Sequence, residues 1–349
     1  MDKERAQKFL WRVVEDVGTG LCGALCYIGD KLGIFKAMVG AGPLTAEELA
    51  LKTGLNERYI REWLGAMATA EYVEYDSATE KYLLPEEHAG PLGNEESPVF
   101  VGGFFQMLVP LVSAAPQVAE AFRSGTGVSQ SAYPPEFFAA LERGTAPKFK
   151  HKLLKEWLPA LPEVRAKLES GGSALDVGCG SGLASITLAR AFPKAHVFGY
   201  DNHPGSIERA KANARAAGVA DRVSFDVIDG TQLPTGRFDF ISTFDVVHDA
   251  VDPMGLLTAI RKALAADGTY IMLEMNASAK VEENMTPRGR MLYAISTLYC
   301  MTTSLAEGGP GIGALMGEPK ARELAAAAGF THFRRLAEDP FNVVYELKV

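Results

Sequence analysis

The chain has 349 residues, of which 47% are hydrophobic and 22% charged, and its formal net charge is −8. These values are typical of a soluble globular protein of about two domains. The chain is acidic and has no run of Lys or Arg, so the sequence shows no basic cluster that would bind nucleic acid or an anionic membrane. No apolar run approaches the roughly 20 residues that span a bilayer, and the N-terminus does not have the pattern of a signal peptide.

Cysteine and histidine usage bounds the chemistry further. The four cysteines, Cys22, Cys26, Cys179 and Cys300, have neither metal-ligand nor disulfide spacing, and the six histidines are scattered. We therefore expect no metal site and a location in the reducing cytoplasm.

The first 90 residues have the pattern of a winged helix. A helix is predicted over residues 8–40. Thr45 and Glu48 form a capping-box signature for the next helix, which ends at Thr53–Gly54, and a further helix follows over 57–68. The segments 72–75 and 81–84 alternate as a hairpin wing.

The charge of this predicted winged helix distinguishes DNA binding from dimerisation or scaffolding of a substrate pocket. Residues 1–90 contain 10 Lys or Arg against 15 Asp or Glu, a net charge of −5. Phosphate binding needs a positive surface. We therefore expect dimerisation, or scaffolding of a substrate pocket, and no binding of nucleic acid.

Residues 91–168 are predicted to form a helical linker that is interrupted by prolines and rich in aromatic side chains. Core packing explains most of these side chains. Phe104, Phe105 and Met107 are candidates for the lining of an apolar substrate pocket.

Strands and helices alternate from residue 169 to the C-terminus, which predicts a parallel α/β sheet. The last two strands are joined by a short turn and are expected to form an antiparallel hairpin. The predicted strands cover residues 174–177, 196–200, 222–227, 238–243, 269–274, 331–337 and 342–347.

The most informative segment is the glycine-rich turn that follows the first of these strands. It has the spacing Asp176-x-Gly178-x-Gly180-x-Gly182, ahead of a predicted helix over 183–191. Glycines here let the backbone pass close to a ligand. The spacing is not that of a dinucleotide fingerprint or a P-loop. The acid disfavours a pyrophosphate and suits a cationic ligand.

This segment resembles the glycine motif of class I S-adenosylmethionine-dependent methyltransferases. The resemblance implies a Rossmann-like sheet, S-adenosylmethionine as cofactor and S-adenosylhomocysteine as product. It places Asp176 in support of the methionine end of the cofactor.

The same resemblance assigns further residues at the strand ends, where open α/β sheets bind ligands. Asp201, 19 residues after Gly182, corresponds to the ribose-binding acid, with Asn202 beside it. Asp229-Gly230 corresponds to the family's adenine-binding Asp-Ala, and Phe244 lies where a side chain packs on the cofactor.

The segment 246–253 contains His248-Asp249 followed by Asp252, and it resembles the His-Asp-x-x-Asp of caffeate-type O-methyltransferases. In that family the histidine takes a proton from a phenolic hydroxyl, and a glutamate orients it. The resemblance therefore assigns His248 as general base, with Glu274, Glu282 and Glu283 as alternatives for the glutamate. A helix-supporting role for His248 is the competing interpretation.

An insertion over residues 275–317 separates the fifth strand from the last helix. Such insertions cover the acceptor pocket in this family, and Arg288, Met291 and Tyr293 are the candidates here. Core packing is again the alternative for these side chains.

Taken together, the residues predict a winged-helix domain (1–90), a helical linker (91–168) and a methyltransferase domain (169–349). The expected protein is a cytoplasmic homodimer that methylates a small, largely apolar acceptor at a hydroxyl. The alternatives are methylation at carbon or nitrogen, or a transcriptional regulator that senses S-adenosylmethionine.

Overall fold

A computed structural model describes all 349 residues of the chain. They form two compact units, one of residues 1–113 and 134–147 and one of residues 114–133 and 148–349. The α-helices are α1 (Lys3–Lys31), α2 (Ile34–Met38), α3 (Ala46–Thr53), α4 (Glu57–Thr69), α5 (Glu86–Gly93), α6 (Gly102–Ser113), α7 (Ala115–Ser124), α8 (Pro135–Lys148), α9 (Pro162–Ser170), α10 (Leu183–Ala191), α11 (Pro204–Ala216), α12 (Pro253–Ala263), α13 (Pro287–Ile295), α14 (Met301–Ala306) and α15 (Gly317–Ala327). None of them is both long and apolar enough to cross a membrane.

The strands form a two-stranded hairpin and a seven-stranded sheet. Their bounds are β1 (Glu74–Asp76), β2 (Lys81–Leu83), β3 (Ser173–Val177), β4 (His196–Asp201), β5 (Val223–Val227), β6 (Phe238–Phe244), β7 (Leu264–Met275), β8 (His332–Glu338) and β9 (Asn342–Lys348). Short 3₁₀ turns cover Gln130–Ala132, Leu158–Ala160 and Val281–Asn284, and π-helical turns cover Phe149–Trp157 and Ser296–Cys300.

The first unit contains the predicted helix-turn-helix and wing. Thr45 and Glu48 form the capping box of α3, because the Thr45 hydroxyl accepts from the Glu48 N–H while the Glu48 carboxylate accepts from the Thr45 N–H. Asn56 caps α4, and β1 pairs antiparallel with β2. The apolar sides of α2, α3 and α4 share one buried core around Phe35, Leu49 and Leu64.

The predicted continuous helix over residues 8–40 was wrong in its bounds. Helix α1 begins at Lys3 and ends at Lys31, and Gly33 separates it from α2 with a φ of +68°. A positive φ is unfavourable for most residues but not for glycine, so the chain turns there. The side chains of α1 before residue 22 are exposed, whereas Cys26 is fully buried.

The seven-stranded sheet has the order β5-β4-β3-β6-β7-β9-β8. Strands β5, β4, β3, β6 and β7 are parallel, and β9 pairs antiparallel with both β7 and β8. The predicted Rossmann-like sheet with a terminal antiparallel hairpin is therefore confirmed. Strand β7 is longer than predicted, since Leu264 already pairs with Phe238.

Separate apolar layers cover the two faces of this sheet. One contains buried side chains of α9, α10 and α11, and the other contains those of α12 and α15. The strand order changes direction between β3 and β6. Open α/β sheets bind their ligands in the crevice at the carboxyl ends of such strands.

Candidate functional site

The loop between β3 and α10 has the backbone geometry that its glycines predict. Gly178, Gly180 and Gly182 have φ of +70°, +53° and +79°. A Cβ at Gly178 would lie 2.6 Å from Val246 Cγ2, and one at Gly182 would lie 2.5 Å from Phe225 Cζ. At Gly180, by contrast, a Cβ would meet nothing within 4 Å. Two of the glycines are therefore required by packing, and the middle one borders open space.

Asp201 ends β4 beside this loop and is held by the backbone. Its Oδ2 accepts from the Gly180 N–H at 2.9 Å, and its Oδ1 accepts from the His203 N–H at 2.8 Å. Burial raises the pKa of Asp201, against the lowering effect of these two hydrogen bonds. Each carboxylate oxygen keeps a further acceptor position, so both remain able to accept from a ligand.

Asp176 lies beneath the loop with only 2% of its surface exposed. Its Oδ1 accepts from the Ser242 hydroxyl at 3.1 Å and its Oδ2 from the Ser185 hydroxyl at 3.3 Å. Burial raises its pKa to about 7. The side chain thus connects β3 to β6 and to α10, and any support that it gives to a ligand acts through the loop.

Asp229 and Gly230 follow the neighbouring strand β5. The exposed Asp229 accepts from the Thr231 N–H at 2.8 Å and from its hydroxyl at 2.7 Å. A Cβ at Gly230 would lie 2.7 Å from Leu256 Cδ1, so an alanine here would require the Leu256 side chain to move. Asn202 is exposed in the loop after β4.

Phe244 ends β6 and packs edge-on against Phe149, with ring centroids 4.8 Å apart, and stacks on Trp157 at 5.9 Å. The next residue, Asp245, has a φ of +58°, which is unusual for a side chain other than glycine. Lys148 Nζ lies 3.2 Å from its Oδ2. Sequence reasoning did not find this strained, ion-paired aspartate, because no local pattern marks a positive φ there.

His248 is 1% exposed and lies at the centre of a buried polar cluster. Its Nδ1 pairs with Glu274 Oε2, while Oε1 of the same glutamate accepts from the Val247 N–H at 3.1 Å. Glu282 and Glu283 are exposed, and Glu283 pairs with Lys280 instead. Among the three glutamates considered from the sequence, Glu274 is the one that contacts His248.

The other ring nitrogen of His248 faces a second carboxylate. Asp249 Oδ1 lies 3.0 Å from Nε2. Burial lowers the pKa of His248, but the charges of Asp249 and Glu274 outweigh it and raise that pKa well above its ordinary value. Burial also raises the pKa of Glu274. The cluster therefore holds a proton tightly as long as both carboxylates face the ring.

Known proteins resemble both halves of the chain. Residues 20–93 match the family described as Rv2258c-like winged HTH domain, and residues 168–329 match a methyltransferase domain family. The fold of the human N-acetylserotonin methyltransferase, solved in complex with S-adenosylmethionine, covers 100% of this chain and 98% of its own, with a TM-score of 0.65 and 17% identity. Residues 20–93 therefore belong to a winged-helix family and residues 168–329 to a methyltransferase domain family.

Two other proteins that resemble this chain are named for O-methylation. The mitomycin 7-O-methyltransferase MmcR has a TM-score of 0.70 at 18% identity, covering 99% of this chain and 100% of its own. A ubiquinone biosynthesis O-methyltransferase from Cereibacter sphaeroides is 35% identical over 106 residues, which are 30% of this chain and 42% of that protein. The chain thus spans less than half the length of this curated relative.

The candidate pocket residues predicted from the sequence belong to two segments, one in each unit. In the first unit, Met107 is buried, and Phe105 packs edge-on against Tyr72 at 6.2 Å. Phe104 is half-buried on the same helix, α6. These contacts are consistent with core packing for Phe105 and Met107.

In the second unit, Arg288, Met291 and Tyr293 lie on α13. Arg288 donates to the Pro340 carbonyl, Met291 is half-buried and Tyr293 is 37% exposed. The insertion contributes a different residue to the His248 cluster: Cys300, which is buried. Cys300 was assigned no function from the sequence, because nothing in its neighbourhood along the chain connects it to His248.

Proposed function

We propose that this methyltransferase transfers a methyl group from S-adenosylmethionine to a hydroxyl of a small, largely apolar acceptor, with His248 as general base. The observation that carries the proposal is the buried Glu274–His248 pair, four residues beyond the carboxyl end of β6. A binding protein has no need to bury an ionisable pair at that position, since burying charge is costly.

The residues of the glycine loop fit the proposed cofactor. The open space beside Gly180 leaves room for a ligand against the backbone, and Asp201 presents two oriented oxygens to a ribose. Gly178 and Gly182 keep the loop close to the sheet, and Asp229 and Phe244 are the proposed contacts of the adenine and of the donor side. When bound, the cofactor supplies a methyl group that is already activated by its sulfonium charge.

The work left to the protein is to orient the acceptor and to remove its proton. Glu274 fixes the Nδ1–H tautomer of His248, so that Nε2 is the atom that accepts the proton. An acceptor hydroxyl has to displace Asp249 from Nε2. That displacement removes one of the two charges that raise the pKa of the histidine.

We propose that the acceptor is bound by side chains of the insertion, with Arg288, Met291 and Tyr293 on α13 as candidates. Flexible and aromatic side chains adapt to apolar ligands. Substitution of Tyr293, the most exposed aromatic of this set, is the first test of the pocket assignment.

We also propose that the protein is a homodimer that pairs through α1. Leu10, Val14, Val17 and Leu21 follow heptad spacing along this helix, and they are 60%, 51%, 58% and 66% exposed. An apolar seam of this period buries itself against a second helix. Val17→Glu with Leu21→Glu is expected to yield monomers in light scattering, and an unchanged mass would exclude this seam.

Calorimetric titration with S-adenosylhomocysteine tests the function. We expect micromolar binding that Asp201→Ala weakens at least about 10-fold, or 1.4 kcal/mol. Asp221→Ala, which removes an exposed acid of the same unit, is the matched control. NADH is the negative control. Failure of wild-type protein to bind would refute the proposal, and binding without turnover on any hydroxylated acceptor would favour the regulator.

A further inference from the structure

Three side chains with metal-ligating atoms converge at His248. One ring nitrogen of His248, one carboxylate oxygen of Asp249 and the Sγ of Cys300 all lie within 4.8 Å of one another. His248 and Cys300 are buried, at 1% and 4% exposed. Ligand atoms that share one ion lie roughly 3–4 Å apart, because each binds at about 2.0–2.3 Å, and the His248 Nε2–Asp249 Oδ1 pair has this spacing at 3.0 Å.

Asp249 has a carboxylate oxygen whose hydrogen-bonding capacity is not used. Its Oδ1 is buried and has no hydrogen-bond partner, although it lies 3.0 Å from His248 Nε2. The two atoms are close but are not aligned for a hydrogen bond. Asp249 Oδ1 therefore faces the ring as an ion-pair partner without an aligned hydrogen bond, and a cation that contacts both atoms would satisfy this oxygen more fully.

Glu274 prepares the histidine for such a role. It pairs with Nδ1, so the lone pair of a neutral ring is on Nε2, the nitrogen that faces Asp249. Metal-binding histidines commonly have a carboxylate on the second ring nitrogen. A second possible trio, Asp245, His248 and Glu274, is less suitable, because Nδ1 is already engaged with Glu274.

We propose that His248 Nε2, Asp249 Oδ1 and Cys300 Sγ form a binding site for a thiophilic divalent transition ion of the zinc class. The nitrogen and sulfur donors select zinc or cobalt over Mg²⁺ or Ca²⁺, which prefer oxygen. Binding of the ion would release the proton of His248 Nε2 and the thiol proton of Cys300 to solvent, and three protein ligands would leave one open position on a tetrahedral ion. The side chain of Asp249 is 28% exposed, so the trio borders solvent at this residue.

The site has a consequence that rests on the proposed function. A metal ion on Nε2 occupies the atom that would accept the proton of the acceptor. Zinc binding is therefore expected to inhibit methyl transfer, and removal of zinc by a chelator to restore it. Metal binding itself is measured without any acceptor, so its failure is distinguishable from failure of the proposed function.

Cobalt substitution tests the site directly. Chelator-treated full-length protein is titrated with Co²⁺ and then with Zn²⁺. We expect one ion per chain, a thiolate-to-cobalt charge-transfer absorption in the near ultraviolet, and loss of that absorption when Zn²⁺ displaces the cobalt. Mg²⁺ in excess should displace nothing.

Variants assign the ligands. Cys300→Ser should abolish the charge-transfer band and weaken Zn²⁺ binding at least about 10-fold, Glu274→Gln should weaken it about 10–100-fold, and Asp249→Asn should also weaken it. Cys22→Ser, in the other unit, is the matched control and should bind as wild type. Circular dichroism confirms folding, and Asp249→Asn serves as the test if Cys300→Ser does not fold.

A cobalt spectrum without a thiolate band, or one that Cys300→Ser leaves unchanged, would overturn the proposal. So would equal affinity of wild type and Asp249→Asn for Zn²⁺.

Discussion

The glycine loop with Asp201 and the polar cluster around His248 are built in opposite ways. In the loop, a ligand would meet backbone groups and a carboxylate that two N–H groups already orient. In the cluster, buried side chains from separate segments neutralise one another. The loop depends on backbone conformation and therefore on glycine, whereas the cluster depends on charge balance. Substitutions should consequently impair binding at the loop and proton transfer at the cluster.

The largest effect is expected at the cluster. His248→Asn should lower kcat by about 10²–10⁴-fold, because general bases contribute that much to a rate, and it should leave S-adenosylhomocysteine binding within twofold of wild type. Steady-state kinetics and calorimetry on the same preparation separate the two effects. A loss of kcat below 10-fold would instead favour methylation at carbon or nitrogen.

The burial of Asp176 beneath the loop should make the stability of the protein depend on pH. Because its pKa is raised from 3.8 to about 7 in the folded protein, the folded state binds the proton more tightly than the unfolded state. The contribution of protonated Asp176 to the free energy of unfolding is fully present below about pH 4. It is lost as the pH rises towards 7, by at most about 4 kcal/mol.

Asp176→Asn should remove this pH-dependent loss of stability. The free energy of unfolding in urea should therefore differ less between pH 5 and pH 8 in the variant than in wild type. Asp221→Asn, an exposed acid, is the control and should keep the wild-type difference. Parallel pH dependences of wild type and Asp176→Asn would show that Asp176 is ionised in the folded protein over this whole range.

Within the loop, Gly182→Ala and Gly180→Ala separate packing from backbone strain. Both substitutions place a side chain at positive φ, at a cost of about 1–2 kcal/mol. Only Gly182→Ala also clashes with Phe225, which adds about 1–3 kcal/mol. Thermal unfolding should therefore show a lower Tm for Gly182→Ala. The reverse order would mean that the loop repacks around the alanine.

The smallest effect is expected at Asp229. Its carboxylate is exposed and already bonds Thr231, so Asp229→Ala should lose about one hydrogen bond to the adenine, or 0.5–1.5 kcal/mol. Titration should show a 3- to 10-fold weaker affinity for S-adenosylhomocysteine, with no change for a ligand that lacks the adenine amino group. An equal loss for both ligands would assign Asp229 to loop structure.

Features that depend on neighbouring residues could be predicted from the sequence. The capping box of α3, the glycine-rich turn after β3 and the alternation of strands and helices all follow from residues a few positions apart. Such features depend on local backbone conformation and periodicity, so they are visible in a single chain.

The contacts between side chains from distant segments became visible only in the folded structure. It selected Glu274 over Glu282 and Glu283, brought Cys300 from 52 positions away to His248, and left the apolar seam of α1 exposed. These outcomes depend on how distant segments pack around the sheet. Packing joins residues with no fixed spacing along the chain, and for that reason the spacing of cysteines and histidines gave no indication of the metal site proposed at His248.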